Sequence, residues 1–168
     1  MNDALMLKAA GYHIYFDFQP HPKIKDGLRG KIRLVTTHDF EPRQLETKEF
    51  LFLIADLLRL ATYLEDHVTK LIVRQSDQEY AEAHLFLDDS LAYEIRALNG
   101  GVRSNMRGGF TIEVWVKVGF DPDMKKGVYA GIKTSVEAAE VTQFIRRIRE
   151  KYADSEAASE SDPKTDFD

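Results

Sequence analysis

Rings and charges of both signs alternate along several predicted strands of this chain, and this is its pattern with the clearest chemical meaning. His13, Tyr15 and Asp17; Lys31, Arg33 and Val35; His84 and Phe86; Glu94 and Arg96; Thr111, Glu113, Trp115 and Lys117; and Tyr129 and Lys133 all take the phase opposite to an apolar set. Successive strand residues point to opposite faces, so these groups should share a surface that the core does not use. Trp115, the only Trp, stands between Glu113 and Lys117 on that polar phase. Rigid rings give contact area at small entropy cost and Arg adds forked hydrogen bonds, which together suit protein recognition. The competing explanation is that Tyr15, Phe86, Trp115 and Tyr129 support one another across strands, or lie beneath a loop.

A second feature is the run Asn99 to Gly109, NGGVRSNMRGG, with four glycines and with Arg103 and Arg107. Backbone amides and guanidinium groups suit anions. The run nevertheless lacks the Gly-Lys-Ser/Thr of a phosphate loop, and it does not lead from a strand into a helix as a dinucleotide fingerprint must. It reads as an irregular connection whose arginines form the rim of the ring-bearing face. The expected contact set is therefore Tyr15, Arg33, Phe86, Arg96, Trp115, Lys117 and Tyr129, with Arg103 and Arg107 beside them.

The inventory for catalysis is thin. His13, His21, His38, His67 and His84 show no paired metal-ligand spacing, and His67 beside Glu65 and Asp66 reads as a solvated helix residue. The acid pairs Asp88-Asp89 and Asp121/Asp123 fall in predicted turns, where Asp is favoured for backbone reasons. There is no GxSxG elbow. With no Cys, thiolate metal sites, catalytic thiols and disulfides are excluded. No catalytic residue, metal site or cofactor is implied, and an enzyme would need a site dispersed along the chain.

Composition sets the frame for these groups. A chain of 168 residues with 43% hydrophobic and 30% charged residues belongs with ordinary globular domains and is long enough for one core. The net charge of −5 is local: of 28 acidic and 23 basic side chains, six acids and Lys164 fall between Ala153 and Asp168, leaving 22 of each sign before them. The division expected is a single domain over residues 1–152 and an acidic, disordered tail over 153–168, a solubilising end or an interaction segment. Met1 to Ala10 has neither the pattern of a secretory signal nor that of a membrane span, so a cytoplasmic location with no membrane partner is expected.

The elements that must position the site follow from periodicity. Tyr12–Phe18 and Lys31–Thr37 alternate and should pair as a hairpin. From about Pro42 to Ile72 apolar residues recur at helical steps, which predicts one long amphipathic helix started near Pro42 or near Thr47. Ala83–Leu87 and Leu91–Leu98 predict another hairpin, Phe110–Val118 a central strand, and Val128–Lys133 the last strand. Thr134 and Glu137 have the spacing of a capping box ahead of a C-terminal helix reaching Tyr152. The sum is an α+β fold: a twisted, mainly antiparallel sheet of about six strands with two helices, one long and one C-terminal, packed on one face.

This order of elements, with the Leu53-to-Leu64 helix and the passage Ile132-Lys133-Thr134-Ser135-Val136-Glu137 into the last helix, resembles the small bacterial immunity proteins of contact-dependent and other polymorphic toxin systems. The resemblance spans Tyr12 to Tyr152 and rests on element order, with no specific motif. It implies a non-catalytic protein that binds and blocks a cognate toxin, and it carries over no defined residues. Two alternatives use the same groups differently: a nucleic-acid module stacking bases on the rings, which Asp17, Glu94 and Glu113 oppose, or a small enzyme with an unrecognised pocket. Homodimerisation through an edge strand or the open face is a further use of the same surface.

Overall fold

The computed structural model describes residues 5–38, 43–73, 84–87, 92–123 and 125–159, with the side chains of 84–87 and 153–159 outside that description. Eleven elements follow in order: β1 (Leu5–Ala9), β2 (Tyr12–Pro20), β3 (Gly27–Thr36), β4 (Gln44–Glu46), β5 (Phe50–Leu53), α1 (Ile54–Val73), β6 (His84–Leu87), β7 (Tyr93–Val102), β8 (Gly108–Asp121), β9 (Lys126–Glu137) and α2 (Ala138–Ser159). Every strand pairing is antiparallel. The protein has an α+β fold.

The strands form two sheets where one of about six strands was expected. One has the order β1-β2-β3-β4 with β5 also on β3; the other has the order β6-β7-β8-β9. The surplus comes from short or glycine-rich segments whose pattern is weak in sequence. Leu5–Ala9 joins β2 through a two-residue turn in which Gly11 adopts φ +76. Residues 50–53 fit both an alternating and a helical pattern, and pairing with Gly27–Gly30 makes them a strand. The long helix therefore starts at Ile54 and not near Pro42 or Thr47. Leu53 N–H donates to Asp56 Oδ2 at 3.3 Å, so the acid in the first turn satisfies the backbone just ahead of it.

The expected capping box is absent, because residues 134–137 remain in β9. Thr134 Oγ1 donates instead to Ala10 O at 2.6 Å. At its other end α2 continues past Tyr152 through Ala153–Ser159, a run whose three alanines favour helix, whereas a disordered tail was expected from 153. Residues 160–168, like the predicted turn at Asp88-Asp89, lie outside the described residues.

Each sheet buries one face against the helices. Leu7, Ile14, Phe16, Leu28, Ile32 and Leu34 are buried from the first, and Tyr93, Ile95, Phe110, Ile112, Val114 and Val116 from the second. Phe16 bridges them, with ring centroids 6.5 Å from Tyr93 and 5.2 Å from Phe144 of α2. Leu57, Leu60, Ala61, Leu64, Val68 and Leu71 supply the buried stripe of α1. The sheets also meet where the β1–β2 turn reaches β9, Ala10 N–H donating to Ser135 O at 2.8 Å.

Candidate functional site

Because directly opposed residues of an antiparallel pair share a face, the register assigns each expected contact residue to a surface. Tyr15 lies opposite Arg33, and Arg33 opposite Glu46, on the outer face of the five-stranded sheet. Arg96 lies opposite Glu113, Glu94 opposite Trp115, Trp115 opposite Gly131, and Lys117 opposite Tyr129, on the outer face of the four-stranded sheet. The expected single face is thus two, since β3 and β8 belong to different sheets. Phe86 lies opposite Ile95, which is the register of the buried phase and not that of Arg96. Its side chain is outside the described residues.

The first outer face is largely satisfied within itself. Arg33 bonds Asp17 and sits 4.7 Å over the Tyr15 ring. The hydrogen bond to Asp17 raises the basicity of the guanidinium against the opposing effect of burial. Lys31 Nζ lies 2.7 Å from Glu46 Oε2, and that hydrogen bond holds the Glu46 carboxyl below the usual carboxylate range. Arg29, Lys31 and Arg33 each have a carboxylate partner here, which lowers the field the face offers to phosphates.

The second outer face differs in its rings. Trp115 is 36% exposed, Tyr129 39% and Phe120 60%. The indole lies over Gly131, where an added Cβ would stand 2.7 Å from Trp115 Cδ2. Tyr129 and the stem of Lys117 lean over Gly127 in the same way. Glycines on β9 therefore provide the floor for large side chains of β8 and β9. Phe120 lies opposite Gly127 and so shares the face of Tyr129. In sequence it follows Gly119 beside Asp-Pro-Asp and reads as loop; the bulge between Lys117 and Gly119 shifts the phase, and no local signal marks it. Beside the rings, Arg96 Nε meets Glu94 Oε1 at 2.5 Å, and Lys133 Nζ meets Glu113 Oε1 at 3.0 Å.

Arg103 and Arg107 are exposed, on a connection that is ordered and not an irregular glycine loop. Gly100 pairs with Phe110, Gly101 with Gly109 and Val102 with Gly108, so both arms of Asn99–Gly109 join the ladder. The turn is closed by Arg103 N–H to Arg107 O at 2.9 Å and by Arg107 N–H to Asn105 Oδ1 at 3.1 Å. The two arginines form the end of a hairpin.

His67 is buried rather than solvated. Its Nε2 lies 2.9 Å from Leu98 O and its ring 4.7 Å from that of Phe110, because its helical position falls on the inward stripe of α1. Asp121 Oδ1 accepts from Asp123 N–H at 2.9 Å, a turn-stabilising bond. A cleft of about 650 Å³ opens where β1, β8, β9 and the start of α2 come together; Lys8, Asn99, Thr111, Ser135, Glu137 and Glu140 are among its lining residues. None of the expected contact residues lines it.

Fold and surface together define an α+β domain whose four-stranded sheet presents rings and paired ions on its outer face. A scan against protein-family models and a search of curated proteins both find no match to this chain.

Proposed function

We propose that the protein is a non-catalytic binding domain that recognises another protein through the outer face of the four-stranded sheet. The observation that carries this reading is the exposed series Trp115, Tyr129 and Phe120 on one face beside the paired ions of Arg96, Glu94, Glu113 and Lys133. Exposed rings flanked by ions already held in place can be desolvated on docking with little loss of side-chain entropy. Carboxylates beside Arg96 and Lys133 disfavour a polyanion on that face, so a protein fits better than a nucleic acid. Inhibition of a bacterial toxin, the role implied by the resemblance in element order, is the specific form of this reading.

The test is co-expression with the product of the adjacent reading frame, followed by titration of the purified pair. The double variant Trp115→Ala with Tyr129→Ala should lose about 2 kcal/mol or more of binding, while Tyr15→Ala with Arg33→Ala should stay within about twofold of wild type. Equal binding by the Trp115/Tyr129 variant would reject this face.

A further inference from the structure

A pocket of about 310 Å³ opens where the segment between β4 and β5 faces the C-terminal end of β8, and Lys48, Glu49, Phe50, Lys117 and Phe120 are among its lining residues. Two rings give it an apolar body. Phe50 is the half-buried outer member of the core's ring cluster, with centroids 5.9 Å from Phe18, 5.8 Å from Phe52 and 6.3 Å from Tyr93, so it is supported from behind. Phe120 is largely exposed and offers a second ring with little of its surface yet covered. The charges of the pocket are unbalanced. Glu49 is the one acid among its lining residues, and its Oε2 accepts from Arg29 Nε–H at 2.7 Å. Lys48 and Lys117 add two ammonium groups, neither of which has a carboxylate partner among the described residues. Lys117 is also ordered in advance, because its Cε packs where a Cβ on Gly127 would stand 3.0 Å away.

We infer that this pocket anchors the bound partner by taking an aromatic side chain flanked by carboxylates: the ring enters against Phe50 and Phe120, and the acids meet Lys48 and Lys117. This rests on the protein-binding reading and names the partner segment, since Lys117 and Phe120 also belong to the outer face of the four-stranded sheet. Size and charge select the occupant. The volume stands at the lower end of the range for ligand pockets, about 300–1,000 Å³, which suits one side chain and its neighbours rather than a dinucleotide. A basic partner segment would face two ammonium groups here, whereas acids beside the ring complement them. A ring seated in a pocket at the border of an interface and desolvated there is the usual form of a binding hot spot.

The probe is the blocked tripeptide aspartate-phenylalanine-aspartate, titrated into the full-length protein while the amide resonances of Lys48, Gly119 and Phe120 are followed. These should shift saturably, and the peptide should bind at least about threefold more tightly than its asparagine-phenylalanine-asparagine analogue, with the difference shrinking at high salt. Lys48→Gln, at an exposed position, should remove that preference while Lys48→Arg keeps it, and Phe120→Ala should weaken both peptides alike. Equal binding of the two peptides, or no shift of these resonances, would overturn the anchor site. If that happens while the Trp115/Tyr129 double variant still loses its partner, the ring-bearing face stands and the anchor alone fails. Peptide binding in the pocket together with full partner binding by that double variant would instead overturn the face. Phenylacetate bound as tightly as the tripeptide would assign the pocket to a free small acid and overturn the partner residue as its occupant. A dimer mass, with the same resonances moving as protein concentration rises, would place Phe120 of a second copy there and overturn that choice as well.

Discussion

Gly131 matters for what it lacks. A side chain there would stand 2.7 Å from Trp115 Cδ2 and would also meet the Val114 carbonyl oxygen, so the indole keeps its place only over a bare backbone. Gly131→Val should destabilise the domain by about 1–3 kcal/mol and shift Trp115 emission in the folded state, both measurable in one denaturant titration. Tyr152 offers a pH test. Burial raises its phenol pKa, so the unfolded chain loses that proton first as pH climbs. The resulting stabilisation is complete below the unfolded value of about 10 and fades as pH rises through the higher folded value. Tyr152→Phe should therefore lose less stability than wild type between neutral and strongly alkaline pH, as read from thermal midpoints. At this scale the alternation identified Trp115, Lys117 and Tyr129 correctly as outward residues. It missed Phe120, whose phase depends on a bulge, and it misread His67, whose neighbours in sequence are acidic but whose neighbours in space are Leu98 and Phe110.

The β7–β8 hairpin shows how an element can hide behind its composition. Gly100 and Gly109 suggest a loose connection, yet each lies where a Cβ would collide with a neighbouring strand's backbone, so glycine here permits close strand approach. Four glycines within eleven residues erase the alternation that would have revealed the strands. The start of α1 was obscured differently, because Phe50 and Leu53 continue the helical stripe while Phe50 and Phe52 alternate as a strand does, and only pairing with β3 decides between them. At the β8–β9 turn Lys125 adopts φ +51, a conformation that costs a residue with a Cβ about 1 kcal/mol. Lys125→Gly should raise the unfolding midpoint by an amount of that order. A lowered midpoint in chemical denaturation would show that the turn tolerates Lys without strain.

Across the molecule, two sheets and two helices share one set of buried rings. Phe16 of β2 touches Tyr93 of β7 and Phe144 of α2, while Phe18, Phe50 and Phe52 extend the cluster toward Tyr93. A core held in common should unfold as one unit. Phe16→Ala, in the first sheet, should cost about 3–5 kcal/mol and move the Trp115 transition in the second sheet together with the far-UV signal. Separate transitions for the two probes would show that the sheets are independent. The described part contains no helix long and apolar enough to cross a membrane.

Periodicity alone determined the α+β class, the antiparallel hairpins, the inward and outward phases of β2, β3, β7 and β8, and the exposure of the lone indole, because each is a property of near neighbours along the chain. The tertiary structure decided what depends on distant partners: the division into two sheets, the separation of Tyr15 and Arg33 from Trp115 and Tyr129, and the register of Phe86. Strand order and bulges are set by which backbones meet across the core, and no local spacing of residues encodes that meeting.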